Sequence, residues 1–192
     1  MDLRRTLLLF SFIFTGSLAI AQPKDRWTIQ DGGAIRWSIN DNIPHDDHLE
    51  MSGQQLSVVL RYGVDAQKRF HLNRSLVFPM LRMHPNKTQN NLKQRFDVNI
   101  PALVTVDDQT LLNEEVRDVT FNGIMRVESS FGYIYRRKEL KDAVQLTRVL
   151  YPSTNAAHYC EEYTFKNSSP NQITLRVPEW NVTYTTPEEA GV

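Results

Sequence analysis

The densest group of reactive side chains in this sequence is His45-Asp46-Asp47-His48-Leu49-Glu50. Imidazoles and carboxylates ligate zinc and other divalent cations, and His45 and His48 stand three positions apart. On a helix that spacing would put both rings on one face. Pro44 stands just before them, and Asp46 and Asp47 can each bond the backbone two residues on. A structured polar turn is therefore expected. Zinc needs three or four ligands converging on one point, which six residues in a turn seldom supply. No metal and no cofactor is assigned.

Other chemistry would need other pairings. Glycosidic acid–base work takes two carboxyl groups facing one substrate, roughly 5–9.5 Å apart. Glu161 and Glu162 are neighbours in sequence, and neighbours on a strand point to opposite faces, so they cannot act as such a pair. Asp107-Asp108, Glu114-Glu115 and Glu188-Glu189 share that problem or fall in loops. Cys160 has His158 two residues away, on the same strand face, but an inert thiol is the plainer reading. There is no Gly-rich phosphate loop and no CxxC. Trp27, Trp37 and Trp180 can offer flat faces to sugar rings, although such aromatics more commonly belong to a core.

The segments that must position these residues read as short strands. Ile35, Trp37 and Ile39 alternate on one face. Further β-rich runs cover 55–62, 70–78, 95–106 (broken by Pro101), 116–121, 124–127, 133–135, 144–150, 159–165 and 173–177. Asn122-Gly123 lies between two of them and predicts a hairpin with a type I′ turn, because both residues tolerate positive φ. Only 47–62 admits a helical alternative, and Gly53 in its middle argues against it. Runs at intervals of roughly ten residues, separated by turn residues, predict an all-β fold, an antiparallel β-sandwich or barrel.

Composition sets the outer bounds. The chain has 192 residues, 41% hydrophobic and 23% charged, which suits one folded domain with appendages and excludes disorder. Lys+Arg and Asp+Glu both number 22, so no basic excess marks a nucleic-acid binder. Cys160 is the single cysteine, and the core must hold without an internal disulfide. Arg4-Arg5, an apolar run from Thr6 to Ile20 and the small-x-small pattern Ala19-Ile20-Ala21 read as a signal peptide over 1–21. The run is shorter than the ~20 apolar residues of a membrane span. A domain over 22–186 and an exposed connection over 187–192 follow. The expected location is periplasmic or secreted, the lone thiol fitting a periplasm best. Sequons at Asn73, Asn86, Asn167 and Asn181 would be glycosylated only in a eukaryotic secretory route.

Several stretches carry a resemblance. Trp27-Thr28-Ile29-Gln30-Asp31-Gly32-Gly33-Ala34-Ile35-Arg36-Trp37, the segment from Pro44 to Gly53, and Tyr62-Gly63-Val64-Asp65 form the first part. Arg148-Val149-Leu150-Tyr151-Pro152-Ser153 followed by Glu161–Asn167 forms the second. Together they resemble the N-terminal region of exported, Bacteroidetes-type six-hairpin glycoside hydrolases, similar to alpha-L-rhamnosidase-like enzymes. The resemblance implies a β-supersandwich, whole or in part, that precedes and packs on a helical catalytic domain. That domain carries the catalytic carboxylates, so the resemblance assigns no catalytic residue to this chain. It implies carbohydrate as partner. It also makes Trp37, His45, Asp46, His48 and Glu50 the candidates for the rim of a sugar site. Two rival readings stay open: a free-standing carbohydrate-binding sandwich, marked by a solvent-facing Trp or Tyr row, and a small complete hydrolase built on the His45–Glu50 cluster.

Overall fold

The computed structural model describes residues 26–78 and 93–183; the expected leader, the 187–192 connection and the Asn86 sequon lie outside the described residues. The first strands are β1 (Thr28–Ile29), β2 (Ile35–Ser38), β3 (His45–Ser52), β4 (Ser57–Val64), β5 (Phe70–Val77) and β6 (Lys93–Phe96). A 3-10 turn at Ile100–Leu103 leads to two short strands, β7 (Thr105–Val106) and β8 (Gln109–Thr110). Four longer strands or ends of strands follow: β9 (Leu112–Phe121), β10 (Met125–Tyr135), β11 (Lys138–Pro152) and β12 (Tyr159–Asn167). The short β13 (Leu175–Arg176) closes the series. The protein is all-β, as its residue pattern predicts, and the 3-10 turn is its sole helical element among the described residues.

A six-stranded antiparallel sheet, β1-β2-β9-β10-β11-β12, packs against a four-stranded one, β3-β4-β5-β6. The chain leaves the large sheet after β2, builds the small sheet, and returns at β9. A three-stranded sheet, β13-β7-β8, caps one end. Period-two patterning explains the packing. Along β4, Val58, Leu60, Tyr62 and Val64 face inward and meet Val119, Phe121, Met125, Val127 and Leu150 of the large sheet. Val58, Leu60, Val119, Met125, Val127 and Leu150 are fully covered, and each such side chain contributes about 1.5–3 kcal/mol by leaving water. A second cluster, Val106, Phe131, Tyr133, Ala143, Val144 and Leu146, joins the large sheet to the cap.

Charged groups lie at the junction of these clusters. On β11, Arg148 sits between Leu146 of one cluster and Leu150 of the other. It is 3% exposed, pairs with Glu114 at 2.6 Å, donates to Ser129 Oγ at 3.0 Å and stacks over Phe70. Arg74 on β5, also 3% exposed, donates from Nε to Glu161 Oε1 and from Nη2 to Oε2 at 2.9 Å, and to the Val98 carbonyl at 3.0 Å. Tyr163 donates its hydroxyl to the same carboxylate. Both interior cations are thus paired, as burial of charge demands.

Two local expectations are corrected, and a third holds for an added reason. The 45–50 run is a strand, not a turn: its residues pair in continuous register with β4, from His45↔Val64 to Ser52↔Ser57. Pro44 stands outside the ladder, so it does not prevent pairing from His45 onward. The Asn122-Gly123 hairpin exists, but Phe121 pairs with Met125, leaving a three-residue loop in which Gly123 alone takes positive φ, +73°. That is not the two-residue type I′ turn. Gly53 does exclude a helix, and for a further reason. Its backbone lies against the Ser153 carbonyl, where a Cβ would collide. Gln54 N–H donates to the Thr154 carbonyl at 3.0 Å, tying the β3–β4 loop to the β11–β12 loop.

Candidate functional site

Because 45–52 is a strand, its polar side chains divide between two faces. Asp46, His48 and Glu50 point out from the small sheet, whereas His45, Asp47, Leu49 and Met51 lie on the side toward the core. His45 packs edge-on against Trp37, ring centres 5.0 Å apart. Burial, aided by the Arg26 charge, pushes its pKa down despite Asp47 and Asp46. Its Nε2 has no hydrogen-bond partner among the described residues, and Asp47 Oδ2 is 3.7 Å away. Trp37 is 4% exposed and is enclosed by Trp27, His45 and the Arg26 guanidinium. It has no open ring face for a sugar. The sequence-derived set is therefore split: Trp37 and His45 belong to the interior, and Asp46, His48 and Glu50 to the surface.

The outer face of β3–β4–β5 adds residues that the sequence reading did not select. Antiparallel register places Asp46 opposite Gly63, and Gly63 opposite His71. Gly63 has no side chain, so Asp46 Oδ1 and His71 Nε2 reach across it and meet at 2.5 Å. A Cβ at Gly63 would collide with both atoms. The next row is His48, Arg61 and Asn73, again directly opposite one another. Facing side chains in such rows have Cβ atoms about 4.5–5.5 Å apart. Asp46, His48, Arg61, His71 and Asn73, with Asp47 and Tyr62 beside them, line a concavity of about 360 Å³. A glycine inside a strand pattern marks a close approach, and Gly63 is the sequence signal that could have led here. What it brings together, 25 residues apart in sequence, depends on register.

The site offers hydrogen-bond acceptors (Asp46), two imidazoles, one guanidinium and one amide. These groups can both donate hydrogen bonds to and accept them from a polar molecule. Asp46 and Glu50 are four residues apart on one strand, about 13 Å at the usual rise, beyond the span of paired glycosidase carboxylates. Among the described residues no three His, Cys, Asp or Glu side chains gather as a metal site. Glu161 and Glu162 do part to opposite faces: Glu161 meets Arg74, and Glu162 accepts from the Tyr151 hydroxyl at 2.5 Å.

A separate feature lies where the large sheet meets its β1 edge. Ile29, Ile35 and Phe121 form one row across β1, β2 and β9, on the face that carries the core. Exposure along that row rises from 9% at Phe121 to 39% at Ile35 and 82% at Ile29. Ile124, in the adjoining hairpin loop, is 40% exposed. The small sheet thus leaves this corner of the apolar face uncovered.

In comparison with known proteins, no family model matches the chain, and no curated sequence or solved structure is similar to it.

Proposed function

We propose that this chain is the non-catalytic β-sandwich portion of an exported glycoside hydrolase, packing against a helical catalytic domain and presenting a polar sheet face to carbohydrate. The observation that carries the reading is the bare apolar corner at Ile29, Ile35 and Ile124. Isoleucines held in register on a core-bearing face and left in water are a docking surface in need of a cover. The sequence resemblance names the cover, a helical domain that brings the catalytic carboxylates. Two further points support it over the rival readings. The described residues carry no solvent-facing row of Trp or Tyr on one sheet, which a free-standing sugar-binding sandwich would display. The carboxylates of the His45–Glu50 segment do not sit at a hydrolytic separation.

The test is direct. An antibody raised against the sandwich should detect, in the source cells, a species well above the chain's own 22.3 kDa, and the immunoprecipitate should hydrolyse aryl rhamnosides. The purified 192-residue chain should not. A cellular species of the chain's own size, or turnover by the purified chain that survives repurification, sinks the proposal.

A further inference from the structure

We infer that β12, the outer strand of the large sheet, joins β12 of a second copy of this chain, antiparallel and centred on Thr164, so that the two large sheets run on as one. The strand lies at the sheet edge opposite the β1 corner, so this pairing does not depend on the carbohydrate reading above.

A strand at a sheet edge presents a row of backbone N–H and C=O groups to any chain that can pair with it, and folds blunt such edges with short strands, bulges, proline or charge. β12 is the terminal strand of its sheet. It runs nine residues without a proline, and its register with β11 is unbroken from Tyr159 to Asn167. Among the described residues no backbone group bonds to its outer edge. The other terminal strands differ. β1, β8 and β13 have two residues each and β6 has four. β3 has eight, but it carries Asp46, Asp47 and Glu50 with no lysine or arginine to answer them in a second copy.

The side chains of β12 select a second β12 as the partner. Glu162, Thr164 and Lys166 are exposed on one face, and Glu161, Tyr163 and Phe165 are half-buried on the other. Glu162 and Lys166 stand four residues apart, about 13 Å along a strand, too far to meet within one chain. Two copies related by a two-fold axis oppose residues of the same face, so the axis must pass at a residue. At Glu162 it would set two glutamates against each other. At Tyr163 or Phe165 it would set Lys166 against Cys160 or Thr164. At Thr164 it sets Glu162 against Lys166 on both sides of a threonine pair, and on the inner face Tyr163 against Phe165, again twice. Opposite charges, paired aromatics and paired threonines are the contacts that favour antiparallel strands. Tyr163 and Phe165 already pack on the core cluster that joins the large sheet to the cap, so their pairing would carry that apolar layer across the axis.

Sedimentation equilibrium of the purified chain tests this. The parent should approach twice the monomer mass at about 100 µM and below. Lys166→Glu, which sets like charges against each other on both sides of the axis, should weaken the dimer about tenfold or more. The exchanged pair Glu162→Lys/Lys166→Glu restores opposite charges in the same register and should bring the dimer back to within about threefold of the parent. Lys141→Glu makes the same change in net charge on β11, away from the edge, and should leave the dimer as it was. Circular dichroism checks that each variant keeps its fold. A parent that stays monomeric at about 100 µM, a dimer indifferent to Lys166→Glu, a Lys141→Glu protein weakened as much, or an exchanged pair no better than Lys166→Glu alone overturns the inference.

Discussion

Two regions of the small sheet handle arginine in opposite ways. On β5, Arg74 points into the sandwich, where Glu161, Tyr163 and a backbone carbonyl hold every part of its guanidinium. One strand over, on β4, Arg61 points out, and no described group holds it. The residues are alike and the strands are neighbours; only the face differs. In the interior an unpaired charge would cost several kcal/mol, so the fold supplies partners from both sheets. At the surface water does that work, and the fold supplies none. A buried arginine therefore reports how the sheets are locked together, whereas an exposed one leaves that locking untouched.

The contrast can be broken most forcefully from the inside. Glu161→Ala leaves Arg74 charged, buried and without its carboxylate, and is expected to lower stability by about 3–5 kcal/mol in urea unfolding. An Arg74→Met/Glu161→Leu pair should recover most of that loss, since apolar replacement of both partners removes the uncompensated charge. If Glu161→Ala unfolds at the parent urea concentration, the interior pair is not holding the sheets.

A smaller effect belongs to the inner face of β3. His45 is on the inner side and its pKa is depressed, first by burial and then by Arg26, so the folded state binds its proton less readily than the unfolded chain does. Its contribution to stability is complete above the ordinary imidazole value of 6.5 and is lost as pH falls below that value toward the folded one. His45→Gln should flatten the stability–pH curve in that window. A slope unchanged from the parent in His45→Gln would show that burial of His45 does not act in this way.

The smallest expected effect is on stability at the candidate site itself. Arg61→Ala should change the unfolding free energy by no more than about 0.5 kcal/mol, as is usual for an exposed side chain without partners. A thermal shift of several degrees would mean that Arg61 is held within the fold.

The fold was largely legible in the residue pattern, and parts of the site were not. Alternation in β4 and the parting of Glu161 from Glu162 follow from the period of two along a strand, and the Asn122-Gly123 hairpin from turn residues that tolerate positive φ. Those are relations among near neighbours. The His45–Glu50 run misleads for the same reason: Pro44 and two Asp favour a turn locally, and pairing with β4 outweighs that preference. The nearest sequence signal to the candidate site was Gly63, a glycine within a strand.

By itself, then, the sequence determined the all-β character, the positions of most strands and the absence of any one-face carboxylate pair among adjacent acids. Each depends on backbone geometry that a few consecutive residues impose. Tertiary structure decided which sheet each strand joins and which residues stand in one row. It buried Trp37, turned His45 inward, gave Arg74 a carboxylate 87 residues away, and brought Asp46 to His71 across Gly63. The physical reason is register. A strand's pairing sets all its side chains at once, and it is chosen by the burial of the whole inner face, to which the outer residues contribute little.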